Sequence, residues 1–134
     1  YGIDDAIERT KRYIDAGAEI CFADGIGTRE ELEKFAKELS GSGAYLVANM
    51  IEGGKTPLIP AKELEQMGFS LVFWACSAVY TISKALYDLF GNLAQDGTTE
   101  KSLDRMIEFS QFNSMIGLDT YKEYERKYKV DRDD

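Results

Sequence analysis

The chain has 134 residues, no histidine, 16 Lys and Arg against 24 Asp and Glu, and a formal charge of −8. That length suits a body with a real core, and the acidic balance excludes nucleic acid as a partner, since phosphate binding needs clustered basic side chains. The missing histidine removes every Ser-His pair, imidazole base and His metal ligand, and no apolar run approaches the ~20 residues that span a bilayer.

Ile3, Ile7 and Ile14 share one face of a first helix, with Ala6 nearby. Asp4 and Asp5 sit at its start and Lys11 and Arg12 later, as the macrodipole prefers, and Gly17 is its stop. Tyr1 already reads as part of this helix start rather than of a leader, and the absence of an initial Met suggests missing upstream sequence. Glu19 to Ala23 is a short apolar strand ending at Asp24-Gly25. Thr28 with Glu31 three residues on is a capping box, and Leu32, Phe35, Ala36 and Leu39 form the stripe of the helix it opens. The second strand, Tyr45 to Ala48, ends at Asn49. After the pair Gly53-Gly54, Pro60 opens a short helix through Leu64 and Met67, closed by Gly68.

Ser70 to Ala75 is the third strand, and Ser77 is in place to cap the long helix that follows, striped by Ile82, Leu86, Leu89, Phe90 and Leu93. Asp96-Gly97 breaks it. Two further helices are predicted, about Thr99 to Glu108 and Asp119 to Lys129, with Phe109, Phe112 and Met115 between them and a charged tail from Val130 to Asp134. Cys21 and Cys76 lie in apolar runs, which suits buried thiols in a reducing, cytoplasmic setting better than a disulfide.

The three strands are apolar on both sides, as parallel strands covered on both faces are. Strand-helix units of this regularity fit an open doubly wound sheet or a (β/α)8 barrel, which takes about 250 residues. Three strands are few for the first, and no Gly-rich phosphate-binding turn is present. On barrel logic the chain is the C-terminal part of an α/β (β/α)8 TIM barrel, about strands six to eight, with residues 1–97 as βα units and 98–134 as a C-terminal helical arm.

Ligands of such folds bind where the strands end. The candidates are Asp24, then Asn49 with Glu52, Gly53, Gly54 and Thr56, then Cys76 and Ser77. Asp24 is either an outer-shell carboxylate for a metal or a plain Asp-Gly turn. Asn49 can hydrogen-bond a substrate carboxylate or carbonyl, with Gly53 and Gly54 offering N–H groups as an anion nest, or it can simply end a strand. Glu52 and Lys55 are an acid/base element or a solvated loop pair.

The run Asn49-Met50-Ile51-Glu52-Gly53-Gly54-Lys55-Thr56-Pro57-Leu58 resembles the strand-seven loop of the isocitrate lyase / phosphoenolpyruvate mutase superfamily. Asp5 to Arg9, Tyr13 to Glu19, Asp96-Gly97-Thr98 and Phe112-Asn113 resemble other parts of it, so the likeness covers nearly the whole chain. The Glu-Gly-Gly form is similar to the branch of 2,3-dimethylmalate lyase, petal death protein and oxaloacetate-acting enzymes. Asp24 stands where the family usually has Glu, and Trp74-Ala75-Cys76 departs from its usual end of strand eight.

The resemblance implies a Mg²⁺-dependent lyase, with Mn²⁺ as a substitute ion. It would cleave a C–C bond of a 2-hydroxy or 2-oxo di- or tricarboxylic acid of alkylmalate or methylisocitrate type through an enolate-like intermediate. The implied alternatives are oxaloacetate decarboxylation or hydrolysis, phosphonopyruvate chemistry, or a non-catalytic assembly fragment. It assigns Asn49, Glu52, Gly53 and Thr56 to the small carboxylic acid substrate and Asp24 to the metal through water. It also implies the remainder of the barrel, with the inner metal ligands and catalytic loop, N-terminal to Tyr1. The enzyme would be a homodimer or homotetramer that swaps its C-terminal helix, and the fragment alone would be inactive.

Overall fold

The computed structural model describes residues 2–129; the predicted tail from Val130 to Asp134 lies outside them. Two compact units divide the chain, Tyr1–Lys84 and Ala85–Asp134. The division falls inside a helix, α4 (Ser77–Asp96).

The first unit runs α1 (Ile3–Asp15), β1 (Ile20–Phe22), α2 (Arg29–Glu38), β2 (Tyr45–Asn49), α3 (Ala61–Met67), β3 (Leu71–Phe73) and the start of α4. The sheet is parallel with order β1-β2-β3. Ile20 pairs with Tyr45 and Phe22 with Val47, then Val47 with Leu71 and Asn49 with Phe73. The outer strands are shorter than the predicted runs from Glu19 to Ala23 and from Ser70 to Ala75.

Thr28 caps α2 as its spacing predicts, its hydroxyl accepting from the Glu31 N–H at 3.1 Å. The return arm of the box reaches one residue further back, because the Glu31 carboxylate accepts from the Gly27 N–H at 3.0 Å. Pro60 precedes α3, and Gly68 closes it in the left-handed region at φ 111°, where a side chain is strained.

This register sends alternate side chains to opposite faces. Cys21, Leu46 and Ala48 point to the side where the core lies, with Ile7 of α1, Leu32, Phe35 and Ala36 of α2 and Leu64 of α3. Phe35 and Leu64 are almost wholly buried there. The opposite face carries Ile20, Phe22, Tyr45, Leu71 and Phe73, which stay 42–59% exposed. Only Val47 is buried on that side, beneath the Phe22 and Phe73 rings, which meet across the central strand with centroids 5.7 Å apart. The strands are therefore apolar on both sides, as read from sequence, but one side alone is covered within the unit.

In the second unit, the end of α4 is followed by a 3-10 segment (Glu100–Arg105), α5 (Phe109–Met115) and α6 (Leu118–Lys127). The segment is held to α4 by Asn92 Nδ2 donating to Ser102 Oγ at 3.1 Å and by the Arg105–Asp88 and Lys101–Asp96 pairs. Two expectations are corrected here. The helix predicted from Thr99 to Glu108 is a short 3-10 turn that stops before Met106, which is extended. Phe109, Phe112 and Met115 are not a connection but the apolar residues of a helix, α5, that ends at Gly117 in a left-handed turn. No helix among the described residues is long and apolar enough to cross a membrane.

Candidate functional site

Parallel strands put all three carboxyl ends on one edge of the sheet, so the segments after Phe22, Asn49 and Phe73 share a rim. The loop after β2 is the most built of them. Met50 is fully buried, and its sulfur accepts from the Ile59 N–H at 3.4 Å, which ties the two ends of the loop together. Met50 N–H donates to Phe73 O at 2.9 Å, continuing the β2–β3 ladder past Asn49. Gly54 N–H donates to Ile51 O at 2.9 Å and closes a tight turn with Gly53 at φ 71°. A Cβ on Gly54 would lie 3.0 Å from Ile51 O, so a side chain there would require the loop to give by a few tenths of an ångström.

That turn corrects one expectation. Of the two N–H groups considered from sequence as an anion nest, that of Gly54 is spent within the loop.

Asn49 lies at the end of β2 on the open, apolar face of the sheet, beside Phe73 in the register. Its Oδ1 is buried and has no hydrogen-bond partner. A buried acceptor without a donor is costly in a folded protein and points to a group that completes it. Glu52 shows the same signature at one oxygen only. Ser77, the first residue of α4, donates its hydroxyl to Glu52 Oε1, while Oε2 is buried and unpartnered. The Ser77 hydrogen bond holds the Glu52 carboxyl below its ordinary value, followed in effect by a backbone hydrogen bond within Glu52, with desolvation opposing. The residue sits at an open edge although that one oxygen is shielded.

Ser77 therefore does not play the predicted capping role. Cys76 O accepts the first helical hydrogen bond, from Tyr80 N at 2.8 Å, which makes Cys76 the capping position and frees the Ser77 side chain for the loop. Cys76 is half-buried rather than a core thiol, while Cys21 is buried and its thiol is pushed up by desolvation. The Tyr80 phenol is raised, first by its hydrogen bond with Cys76 and further by the nearby Glu52 charge.

Asp24 and Lys55 belong to a second feature of the rim. Both line a cavity of about 160 Å³ with Ile3, Arg9, Gly25 and Glu31. The Lys55 stem passes over the loop after β1, so that a Cβ on Gly27 would meet Lys55 Cε at 3.4 Å. Lys55 thus lines the same cavity as Asp24 and Glu31, and no Lys55–Glu52 ion pair forms among the described residues. Asn49, Glu52, Gly53 and Thr56 are not among the residues lining this cavity. The structure brings Glu52 to Ser77 and Asp24 to Lys55, as two neighbourhoods along one edge.

No group of three or more His, Cys, Asp or Glu side chains that could hold a metal ion exists among the described residues. Asp24 is exposed and single, a donor suited to touching an ion through water but not to holding one. The described residues alone do not fit a bound divalent ion.

Ser77 is the functional candidate that sequence reading undervalued. Its partner lies 25 residues away, and the only signal was its place at a strand end opposite Glu52.

The phosphoenolpyruvate phosphomutase family matches residues 1–94. The 2,3-dimethylmalate lyase of Eubacterium barkeri is 38% identical over 131 residues, covering 98% of this chain and 44% of that protein. The petal death protein of Dianthus caryophyllus is 38% identical over 129 residues, 96% of this chain and 40% of its own length. A chloroplastic carboxyvinyl-carboxyphosphonate phosphorylmutase of Arabidopsis thaliana is 39% identical over 127 residues, 95% and 37%. A crystal structure of 2,3-dimethylmalate lyase superposes with a TM-score of 0.78 at 27% identity, over 98% of this chain and 44% of that one. Oxaloacetate acetylhydrolase shares the fold at 22% identity, with a TM-score of 0.77 over 95% of this chain and 43% of that one. The chain thus spans less than half the length of these relatives, and it belongs to the phosphoenolpyruvate phosphomutase family of the isocitrate lyase superfamily.

Proposed function

We propose that this chain is the strand-six-to-eight portion of a (β/α)8 barrel enzyme, a carbon-carbon lyase acting on a 2-hydroxy or 2-oxo dicarboxylic or tricarboxylic acid. The observation that carries the reading is the pair of orphaned, buried acceptors, on Asn49 and Glu52, at the carboxyl ends of parallel strands in a chain 38% identical to a 2,3-dimethylmalate lyase.

The residues divide the work as follows. Asn49 binds the acid with both ends of its side-chain amide, Nδ2 donating to a carboxylate or carbonyl oxygen and the unpartnered Oδ1 accepting from a donor of the ligand. Glu52 and the Gly53 and Thr56 backbone shape the same subsite. Phe22 and Phe73 line the sheet face beside it with apolar surface, which, once covered in the complete barrel, would strengthen each polar contact to a developing enolate. A divalent ion, Mg²⁺ or Mn²⁺, would supply Lewis-acid stabilisation of that charge when bound, and Asp24 is the residue of this chain that would meet it, through water. The base and acid that move protons at the 2-hydroxyl and the departing carbon are outside the described residues.

Residues 1–97 provide the βα units. Residues 98–134 form an arm whose exposed Phe109, Met115, Tyr121 and Tyr124 side chains are covered by a second copy in a homodimer or homotetramer. The setting is cytoplasmic.

A second reading, phosphoryl-carbon chemistry on a phosphonopyruvate-like acid, is supported by the 39% identity to the phosphorylmutase. Turnover of the full-length protein with 2,3-dimethylmalate, methylisocitrate, oxaloacetate and phosphonopyruvate separates the readings. Cleavage of an alkylmalate is expected. Turnover of phosphonopyruvate alone favours the second reading, and inertness toward all four contradicts both.

A further inference from the structure

We infer that Ser77 is a positioning residue, which by donating to one oxygen of Glu52 aims the other at a hydroxyl of the bound acid, so that the site prefers an acid bearing a 2-hydroxyl over one without it. The inference rests on the substrate class proposed above and narrows it.

The argument is an account of donors. An ionised carboxylate has two oxygens that each accept hydrogen bonds. Oε1 of Glu52 is satisfied by Ser77, the carboxyl also receives a backbone hydrogen bond within Glu52, and Oε2 is buried with no hydrogen-bond partner. Three nearby donors are directed elsewhere. The Tyr80 hydroxyl is engaged with Cys76, the Gly54 N–H with Ile51 O, and the Lys55 stem runs across Gly25 and Gly27. A ligand that completes Oε2 must therefore bring a donor. A hydroxyl does so; a ketone, a carboxylate or a methylene does not, and the first two would place oxygen lone pairs against a carboxylate.

The hydrogen bond from Ser77 also favours the ionised form of Glu52. A carboxyl held below its ordinary value is a weak base near neutral pH, which suits an acceptor that orients a hydroxyl better than a group that removes its proton. Ser77 acts through Glu52 and need not touch the ligand. The latch spans the loop after β2 and the first turn of α4, so losing it frees Glu52 to rotate without removing any core side chain.

Malate and succinate differ only by the hydroxyl, and calorimetric affinities of the full-length protein for the two test the inference. Wild type is expected to bind malate at least tenfold more tightly than succinate. Ser77→Ala and Glu52→Gln should each weaken malate enough to shrink that ratio at least fivefold, and circular dichroism at neutral pH certifies the fold of each variant. Ser77→Thr, which keeps the hydroxyl, should restore the ratio. An unchanged ratio in either variant overturns the inference. Equal loss of both ligands overturns it too, because Glu52 is then structural or satisfied by a donor from elsewhere in the protein. Wild type that binds neither acid defeats the proposed substrate class, and the inference with it.

Discussion

Asn49 illustrates how far a single residue could be read. A strand running into a polar residue and a glycine pair marks a binding rim in any parallel α/β protein, and the structure puts Asn49 at that rim with a buried, unpartnered oxygen. Asn49→Ala in the full-length protein is expected to lower kcat/KM at least 100-fold, about 2.7 kcal/mol of lost transition-state stabilisation at 1.36 kcal/mol per decade, with thermal unfolding unchanged. A variant with wild-type kcat/KM would remove Asn49 from the site. The Ser77–Glu52 link was not legible, because nothing local in either segment records a partner 25 residues distant. It has a pH signature. Glu52 is lowered in the folded state from its ordinary 4.5, chiefly by Ser77. The stability this contributes is fully present above that ordinary value and is lost as pH falls through the lower folded value. Ser77→Ala should therefore melt below wild type at neutral pH, with the two converging in acid below the folded value. A gap that is constant across this window would show that Glu52 ionisation is not involved.

Among the elements, those with strong local grammar were read almost to the residue. The Thr28 cap, the Pro60 start and Gly68 stop of α3, and the stripe of α2 all follow from side-chain chemistry within a few positions. Thr28→Ala is expected to cost about 1 kcal/mol of unfolding free energy, the usual value of a lost helix cap, measured by denaturant titration; no loss would mean that the Glu31–Gly27 bond holds the helix start alone. The misread elements lie after Asp96. Glu100 to Arg105 carries no 3.6-residue apolar stripe, and pairing with Asp88, Asn92 and Asp96 fixes it as a tight turn instead. Phe109, Phe112 and Met115 do show helical spacing, but their helix of seven residues is too short for periodicity to announce. The strands were overextended because apolar residues such as Ala23 and Trp74 continue past the paired positions.

For the whole molecule, the notable fact is a sheet finished on one side. Five large apolar side chains are left about half exposed on the other face, where full burial of each would be worth roughly 1.5–3 kcal/mol. Parallel strands occur with both faces covered, and strands apolar on both sides were legible as such in the sequence; what covers the second face was not, since that depends on chain beyond these three strands. The barrel proposed above would close further strands over this face. The most direct test is a crystal structure of the full-length protein with a bound 2-hydroxy acid. The account predicts Ile20, Phe22, Leu71 and Phe73 enclosed by further parallel strands, and the acid at the carboxyl ends with Asn49 and Glu52 Oε2 in hydrogen-bond contact with it. An acid bound at the opposite ends of the strands, or this sheet face still bare in the complete protein, would contradict it.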